Sequence, residues 1–470
     1  VRRLWAVART TLREAVRTRT VPVVAIVLIA IVALSPFLLR HTGKLVDHVQ
    51  LVLSYSLGAV GFLLAIMTIF LSASTLAGDL REKRIETIAT KPIPRWQILV
   101  GKWLAVMVLN VALVVVSGAI TYGLVRWVIG RPDAAENKQE RKELVNEVYT
   151  ARHTVDPSRP DAEIEEFIDA EIARKRDAGQ LAEDFNEETY RRRRRKELWI
   201  SYNTLPPGYV CQYRFEGVQP AQPDQEIYIR YKLIDVGGGE SSAEKKQIWI
   251  DWTISPEETL PIQKGIVTRP ELVSLGDFQE FTVPARLVSA DGVLYVTCRN
   301  DTHLPGAPAS DMYAAFPAEK GIQVLYKAGS FEGNVVRTML LVLIRLAFLS
   351  ALAVAAASLL SFPVASMFVL FVFVCALLVN QFVGLAAPVP GSEDDPEFRT
   401  PPFYRLLLQG ITAVVPNFGR YDGTGDVATG RLVPWPLVVR GFLIIGAVYS
   451  GVVMLLGCLY FRSRELVETE

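Results

Sequence analysis

Gly101 and Lys102 close the run "LVGK" (Leu99–Lys102) and are the pair in this sequence with the residue types of a phosphate-binding loop. Such a loop cradles phosphates with backbone N–H groups and a lysine. It needs a glycine five positions before the Gly-Lys pair and a Ser or Thr after it. Trp96 stands at the first of those positions and Trp103 follows the lysine, so this pair does not hold ATP. Other chemistry is equally thin. His41, His48, His153 and His303 are scattered, with no HExxH and no Cys/His spacing suited to zinc. No GxSxG elbow presents a nucleophilic serine. Ser392–Glu397 (SEDDPE) and Asp422–Asp426 (DGTGD) are acidic, but neither has the ligand spacing of an EF-hand, and turns account for both. We expect no catalytic residue, no resident cofactor and no metal in this chain.

The Gly-Lys pair instead ends a dense charged connection, "GDLREKRIETIATKPIPRWQILVGKW" (Gly78–Trp103). Arg81, Lys83, Arg84, Lys91, Arg95 and Lys102 are its bases, and Pro92 and Pro94 interrupt it. Apolar stretches flank it. With 470 residues, 50% hydrophobic residues and a mean hydropathy of +0.26, the chain is too apolar for an ordinary soluble protein, and its charge is segregated into blocks. The net charge of +1 therefore says little.

A bilayer core asks for about 20 apolar residues in helix. Val21–Leu39, Leu51–Leu71, Leu104–Val128, Met339–Leu360, Pro363–Ala386 and Leu437–Phe461 supply them, which predicts six spans. The first follows basic residues, as a signal peptide's apolar segment does. It is too long for that segment and has no small-residue cleavage site, so it is expected to stay as a helix. Arg126, Arg345 and Arg440 lie near the expected outer ends of their spans, where an arginine can snorkel to the headgroups.

Lysine and arginine in short loops set orientation. Arg2, Arg3, Arg9, Arg13, Arg17 and Arg19 precede the first span, the charged connection follows the second, and Arg462 and Arg464 follow the sixth. The expectation is a multi-pass protein of the cytoplasmic (inner) membrane, with both termini and the connection in the cytosol and residues 130–335 and 387–436 outside. "RRRRRK" (Arg191–Lys196) would then be outside, which long translocated domains tolerate.

Residues 1–20 form an amphipathic pattern, with Arg9, Arg13 and Arg17 as one stripe and Leu4, Trp5, Ala8, Leu12 and Ala15 on another face, fit to lie in the interface. Residues 130–201 are charged and helical in pattern. Here the arginine run reads as a solvated helix face paired with nearby carboxylates, since no aromatic platform or recognition motif for nucleic acid accompanies it. From Tyr209 the period becomes two, in "YVCQYRFEG", "QEIYIRYKLIDV", "KQIWIDWTI", "FQEFTVPARLV", "GVLYVTCRN" and "GIQVLYKAG". This predicts an antiparallel β-sandwich or jelly-roll-like domain over 202–335. Cys375 and Cys458 lie in apolar spans as small buried side chains. Cys211 and Cys298 lie in strand-like segments and can pair only if that region is outside the cytosol and the geometry allows it.

The fold class expected is thus an α-helical membrane protein with six transmembrane helices. To it is added an extracytoplasmic α+β domain, made of a helical stalk and an antiparallel β part. Residues 21–129 carry three spans with a cytosolic connection over 76–102. Residues 336–461 carry three more, and 462–470 form a cytosolic tail.

The connection, in this frame of spans, resembles the cytosolic loop of ABC-2 type transporter permeases. Their pattern is an acidic residue, a Thr-hydrophobic pair, Lys/Arg-Pro, an Arg, and a Gly-Lys opening the next helix. Glu82, Thr87–Ile88, Lys91–Pro92, Arg95 and Gly101–Lys102 fill those places here. The basic N-terminal helix, the six spans and the tight turn at "SLLSFPVAS" (Ser358–Ser366) agree with it, and about 134–335 is left unexplained. The resemblance implies that these residues form a coupling interface for a separate ABC ATPase, which holds the ATP and magnesium. It also implies a dimer or pseudo-dimer of permeases and service as an exporter of an unknown substrate. The alternative is a membrane-anchored receptor or envelope scaffold whose β domain binds a ligand without transport.

Overall fold

The computed structural model describes residues 2–17, 20–38, 45–81, 94–130, 144–146, 148–180, 185–222, 224–236, 247–258, 267–300, 312–317, 321–386, 410 and 415–463. In chain order the helices are α1 (Arg2–Arg17), α2 (Thr20–Leu38), α3 (Leu45–Arg81), α4 (Arg95–Ile129), α5 (Asp161–Asp177), α6 (Glu187–Asn203), α7 (Phe331–Leu359), α8 (Phe362–Ala386), α9 (Thr424–Ala428) and α10 (Trp435–Ser463). The strands are β1 (Ala151–Val155), β2 (Thr204–Leu205), β3 (Val210–Phe215), β4 (Glu226–Lys232), β5 (Ile234–Asp235), β6 (Gln247–Ser255), β7 (Val267–Ser274), β8 (Phe278–Pro284), β9 (Leu294–Asn300), β10 (Ala314–Ala315) and β11 (Ile322–Gly329). They divide into two compact units, Val1–Ala151 with Gly329–Leu385 and Pro402–Glu470, and Arg152–Ala328 with Ala386–Pro401.

The first unit is helical because its sequence is apolar over lengths that only a helix can satisfy in a membrane. Among the described residues five helices, α3, α4, α7, α8 and α10, are long and apolar enough to cross one. The first expected span forms α2, a 19-residue apolar helix. The charged connection is shorter than its composition suggests. α3 runs on to Arg81 and α4 begins at Arg95, so helix takes up both flanks of the expected 76–102 loop.

α7 is the hub of this unit, with α3, α4 and α10 packed around it. Its small residues, Ala351, Ala353, Ala355, Ala356 and Ala357, are buried and let neighbouring backbones come close. The approach to α10 is close: a Cβ on Gly457 would sit 2.8 Å from the Ala355 Cβ and 3.1 Å from its Cα. Polar side chains join the helices between these apolar contacts. Thr68 Oγ1 donates to Asn110 Oδ1 (2.9 Å), Trp103 Nε1 donates to the Ala347 carbonyl (3.1 Å), and Ser72 and Ser350 pair at 3.1 Å. α7 turns into α8 through Leu360 and Ser361, the tight turn expected at Ser358–Ser366. Within α10, Phe442–Tyr449 is a π-helical segment, and the hydroxyl of Ser450 donates to the Ile445 carbonyl five residues back (2.8 Å).

Side chains of α7 also secure the segment that leads into α10. Asn334, fully buried, donates to the Arg431 carbonyl (2.6 Å) and accepts from the Val433 N–H (2.7 Å). Arg345 corrects the expectation of snorkelling. Its side chain is 13% exposed, donates to the Tyr421 carbonyl (2.7 Å) and pairs with Asp422 (2.9 Å), so its charge is paired inside the protein. Arg126 and Arg440 are exposed, as a snorkelling residue requires. Asp422 also accepts from the Thr424 N–H at the start of α9, which is the turn expected of that acidic run.

The second unit contains β strands and the α5–α6 pair. Its sheets run in the orders β1-β11-β4-β8, β3-β9-β6-β7 and β2-β10-β5. The pairs β11–β4, β4–β8, β3–β9, β9–β6 and β6–β7 are antiparallel. Alternation drives each inner face into one shared core. Trp252 of β6 lies 4.6 Å from the Tyr231 ring of β4 and 5.3 Å from that of Phe281 of β8, which joins the two larger sheets. Each expected period-two stretch holds at least one strand. Four strands arise where no such pattern was seen: the two-residue β2 and β10, and the longer β1 and β7. Ala151–Val155 lies in the stretch expected to be helical and forms the edge strand β1, and β7 contains Pro270. Both β1 and β7 stand at sheet edges, where a missing ladder contact is tolerated.

α5 and α6 have the expected helical pattern. α5 buries Ile164, Ile168 and Ile172 on one stripe. It ends at Gly179, whose φ of +64° lets Gln180 N–H reach the Lys175 carbonyl (2.9 Å). α6 starts at Asn186, whose side chain accepts from Thr189 N–H. The arginine run pairs as expected. Arg191 meets Asp169 (2.5 Å) and Glu187 (2.9 Å), Arg194 meets Glu171 (2.8 Å) and Glu197 (2.9 Å), and Arg195 meets Glu165 (2.5 Å).

Candidate functional site

The candidate site is the end of the helical unit where α3 leaves for the charged connection and α4 returns from it. Glu82, Thr87, Ile88, Lys91 and Pro92 lie outside the described residues. Arg95, Gly101 and Lys102 are described, and each has a definite place.

Lys102 is held between two helices. It is 2% exposed, its Nζ donates to the Thr75 carbonyl (2.6 Å), and it pairs with Asp79 Oδ2 at 2.5 Å. A bare ammonium in this setting would carry a large desolvation cost. The Asp79 carboxylate and a backbone oxygen offset it, and that ties the last turns of α3 to the second turn of α4. The Lys102 side chain is thus enclosed between α3 and α4.

Gly101 has a steric reason. A Cβ there would stand 2.9 Å from Val7 Cγ1 and 3.3 Å from the Leu4 carbonyl oxygen, because α1 crosses α4 at this point. α1 buries Ala8, Thr11 and Ala15, keeps Leu4, Val7 and Leu12 partly buried, and leaves Arg9, Arg13 and Arg17 exposed. Trp5, expected on the apolar face, is 52% exposed. The basic helix is thus seated on the same end of the unit as the connection.

Arg95, the first residue of α4, is half-buried. Its Nη1 donates to the carbonyls of Arg462 (3.0 Å) and Phe461 (3.3 Å), which are orphan acceptors at the end of α10. A guanidinium there also faces the negative end of the helix dipole. Three elements therefore meet at one end of the unit: the start of α4, the C-terminus of α10 and the flank of α1. Sequence reasoning identified Lys102 and Arg95 but not Asp79 or the α10 carbonyls. Nothing in local spacing links Arg95 to Phe461, and only the fold does.

Among the described residues no group of three or more His, Cys, Asp or Glu side chains could hold a metal ion. In the second unit, Cys211 and Cys298 stand directly opposite each other on β3 and β9 as free thiols. Burial pushes the Cys298 thiol well above its usual range.

Residues 5–137 match the family model described as ABC-2 family transporter protein. No curated protein matches the chain. The matched segment begins within α1 and extends past the end of α4, so it contains the Lys102–Asp79 pair, the α1–α4 crossing at Gly101, and the whole connection. Residues 5–137 are thus similar to an ABC-2 family transporter protein, in a chain with five described helices long and apolar enough to cross a membrane.

Proposed function

We propose that this protein is the membrane-spanning permease subunit of an ABC transporter, working as a dimer with a separate ATPase that holds ATP and magnesium, and moving its substrate outward. The observation that carries this reading is the firmly mounted connection inside the family-matched segment. A loop that transmits force needs fixed ends, and here α3 is tied to α4 by Lys102–Asp79 and α4 to α10 by Arg95. In this reading Glu82, Thr87, Ile88, Lys91 and Pro92 touch the ATPase, with charge setting register. ATP-driven closure of the ATPase pair displaces the connection, and the helices rock between inward- and outward-open arrangements. The N-terminal helix and the C-terminus belong to the cytosolic side of the inner membrane, with α2 as a sixth span. The second unit then lies outside, as a helical stalk with a sandwich-like β part that gates exit or meets an envelope partner.

The test is purification of the full chain from its native membrane in mild detergent, with mass spectrometry of bound proteins. A stoichiometric ATPase with phosphate-binding loops is expected, lost in Lys91→Glu. ATP hydrolysis by the complex is expected to lose its stimulation in Arg95→Glu. Repeated recovery of intact protein without any ATPase would favour a receptor or scaffold and overturn this reading.

A further inference from the structure

The second unit has a cleft of about 300 Å³, at the lower end of the size range of small-molecule sites. It lies between the segment that follows β1, the last residues of α6 and the stretch that enters β11. Aromatic rings form one wall. Trp199 and Tyr202 of α6 line it partly exposed, and the buried Tyr213 of β3 and Phe316 complete it. Ring centroids follow one another at 6.0 Å (Trp199–Tyr202), 5.2 Å (Tyr202–Tyr213) and 5.3 Å (Tyr213–Phe316). Phe316 in turn meets Trp252 of the core at 6.4 Å, so the wall is set by the fold before any ligand arrives.

The rest of the lining is polar. Asp156, Ser158 and Arg159 come from the segment after β1, and Asn203 from the end of α6. Three of these are held by hydrogen bonds that leave part of each group unused. Gln323 Nε2 donates to Asp156 Oδ1 (2.6 Å), Ser158 N–H donates to the Arg214 carbonyl (2.7 Å), and Asn203 Nδ2 donates to the Trp199 carbonyl (3.0 Å). Among the described residues Asp156 Oδ2 and Asn203 Oδ1 remain as acceptors without a protein partner. The Ser158 hydroxyl, the Trp199 indole N–H and the exposed Arg159 guanidinium remain as donors.

One carboxylate and one guanidinium balance, so the cleft selects neither an anion nor a cation. Unused donors and acceptors side by side suit a group that both gives and takes a hydrogen bond, as a hydroxyl does. The aromatic wall asks for an apolar face on the same ligand. A pyranose ring has both, with hydroxyls around its edge and C–H bonds across its faces, and such C–H bonds meet the negative face of an aromatic ring. We propose that this cleft binds a neutral pyranose unit of a glycan, its ring against Trp199 and its hydroxyls bonded to Asp156, Arg159 and Asn203. A hydrocarbon chain would leave those polar groups without partners, and an ionic ligand would set one of the two charges against its own sign. The proposal concerns the second unit alone, whichever side of the membrane it occupies, and is independent of ATPase coupling. Either can fail while the other holds.

The experiment is saturation-transfer NMR on the full chain, purified in lauryldimethylamine oxide because glycosidic detergents would compete. The probes are the methyl pyranosides of glucose, galactose, mannose and N-acetylglucosamine, with a set of blocked tetrapeptides in parallel. At least one pyranoside is expected to receive saturation, most strongly on its ring C–H protons. Asp156 and Arg159 are exposed, so Asp156→Ala and Arg159→Ala spare the fold. Each should weaken binding about tenfold, as expected for losing one charge-assisted hydrogen bond. Trp199→Ala should abolish it, while Tyr209→Ala, an exposed aromatic of the same unit outside the cleft, should leave it unchanged. Three outcomes overturn the proposal. One is the absence of saturation on every pyranoside. Another is a pyranoside signal that stays unchanged in both Asp156→Ala and Trp199→Ala, which places the sugar elsewhere. The third is displacement of the pyranoside by a tetrapeptide at equal concentration, which makes the cleft a peptide groove.

Discussion

Lys102 and Asp79 share one enclosed space, and that makes their individual removal costly. Lys102→Met alone leaves a buried carboxylate, and Asp79→Leu alone leaves a buried ammonium. Each should destabilise the helical unit by about 3–5 kcal/mol, and the double substitution should recover most of the loss. Thermal unfolding of detergent-purified single and double variants checks this, and additive losses would mean that the pair is not coupled. The sequence made Lys102 visible as part of a Gly-Lys pair, but it could not assign its depth. Burial depends on which helix lies alongside, and Asp79 belongs to a different one. Arg345 carries the same lesson. A charged residue in an apolar run was legible, while its partner Asp422 comes from a distant segment whose course the local pattern does not encode.

Among elements, the α5–α6 pair responds to acid. Burial raises the Glu171 carboxyl, but contacts from Arg194, Tyr190 and Lys175 outweigh it and hold the carboxyl below its usual range. Arg194 and Arg193 lower Glu197 likewise. Folded pKa values below the unfolded ones mean stabilisation that is complete above the ordinary carboxylate range and lost as pH falls through the folded values. Hydrogen exchange of the full chain should therefore show α5 and α6 amides losing protection on acidification before those of β4 and β6, whose core is apolar. Glu171→Gln should weaken that pH dependence. This pairing was legible because the carboxylates and arginines recur at helical spacing. β7 was not legible, since Pro270 breaks the pattern a strand reader looks for, and only its place at a sheet edge makes it tolerable.

In the helical unit the close contact of α10 with α7 is also a testable joint. Gly457→Ala puts a methyl group 2.8 Å from Ala355 Cβ and near its backbone, so α10 and α7 must separate. Loss of about 1–3 kcal/mol is expected, read as lowered thermal stability. Gly101→Ala meets Val7 Cγ1 (2.9 Å), Val7 Cβ (3.0 Å) and the Leu4 carbonyl oxygen (3.3 Å), so α1 must likewise shift from α4.

At the scale of the whole molecule, the long apolar helices were legible from the unbroken length of their apolar runs, and the β-rich unit from its period of two. The meeting of α1, α4 and α10 at one end was not, since it joins positions hundreds of residues apart. The π-helical segment Phe442–Tyr449 bears on how such a meeting tolerates change. A helix that widens there winds through fewer degrees per residue than an α-helix does, so it holds roughly one residue more than its neighbours require. Gly457 and Arg462 nonetheless face Ala355 and Arg95. α10 therefore contains a spare residue. Deleting Ile444 should let the segment rewind as ordinary α-helix with both ends still in phase, whereas deleting Val453 should swing Gly457 about 100° off its partner. Insertions and deletions, not only substitutions, thus become informative in this helix, and the wide turn marks the place where its length can change without altering what its far end holds.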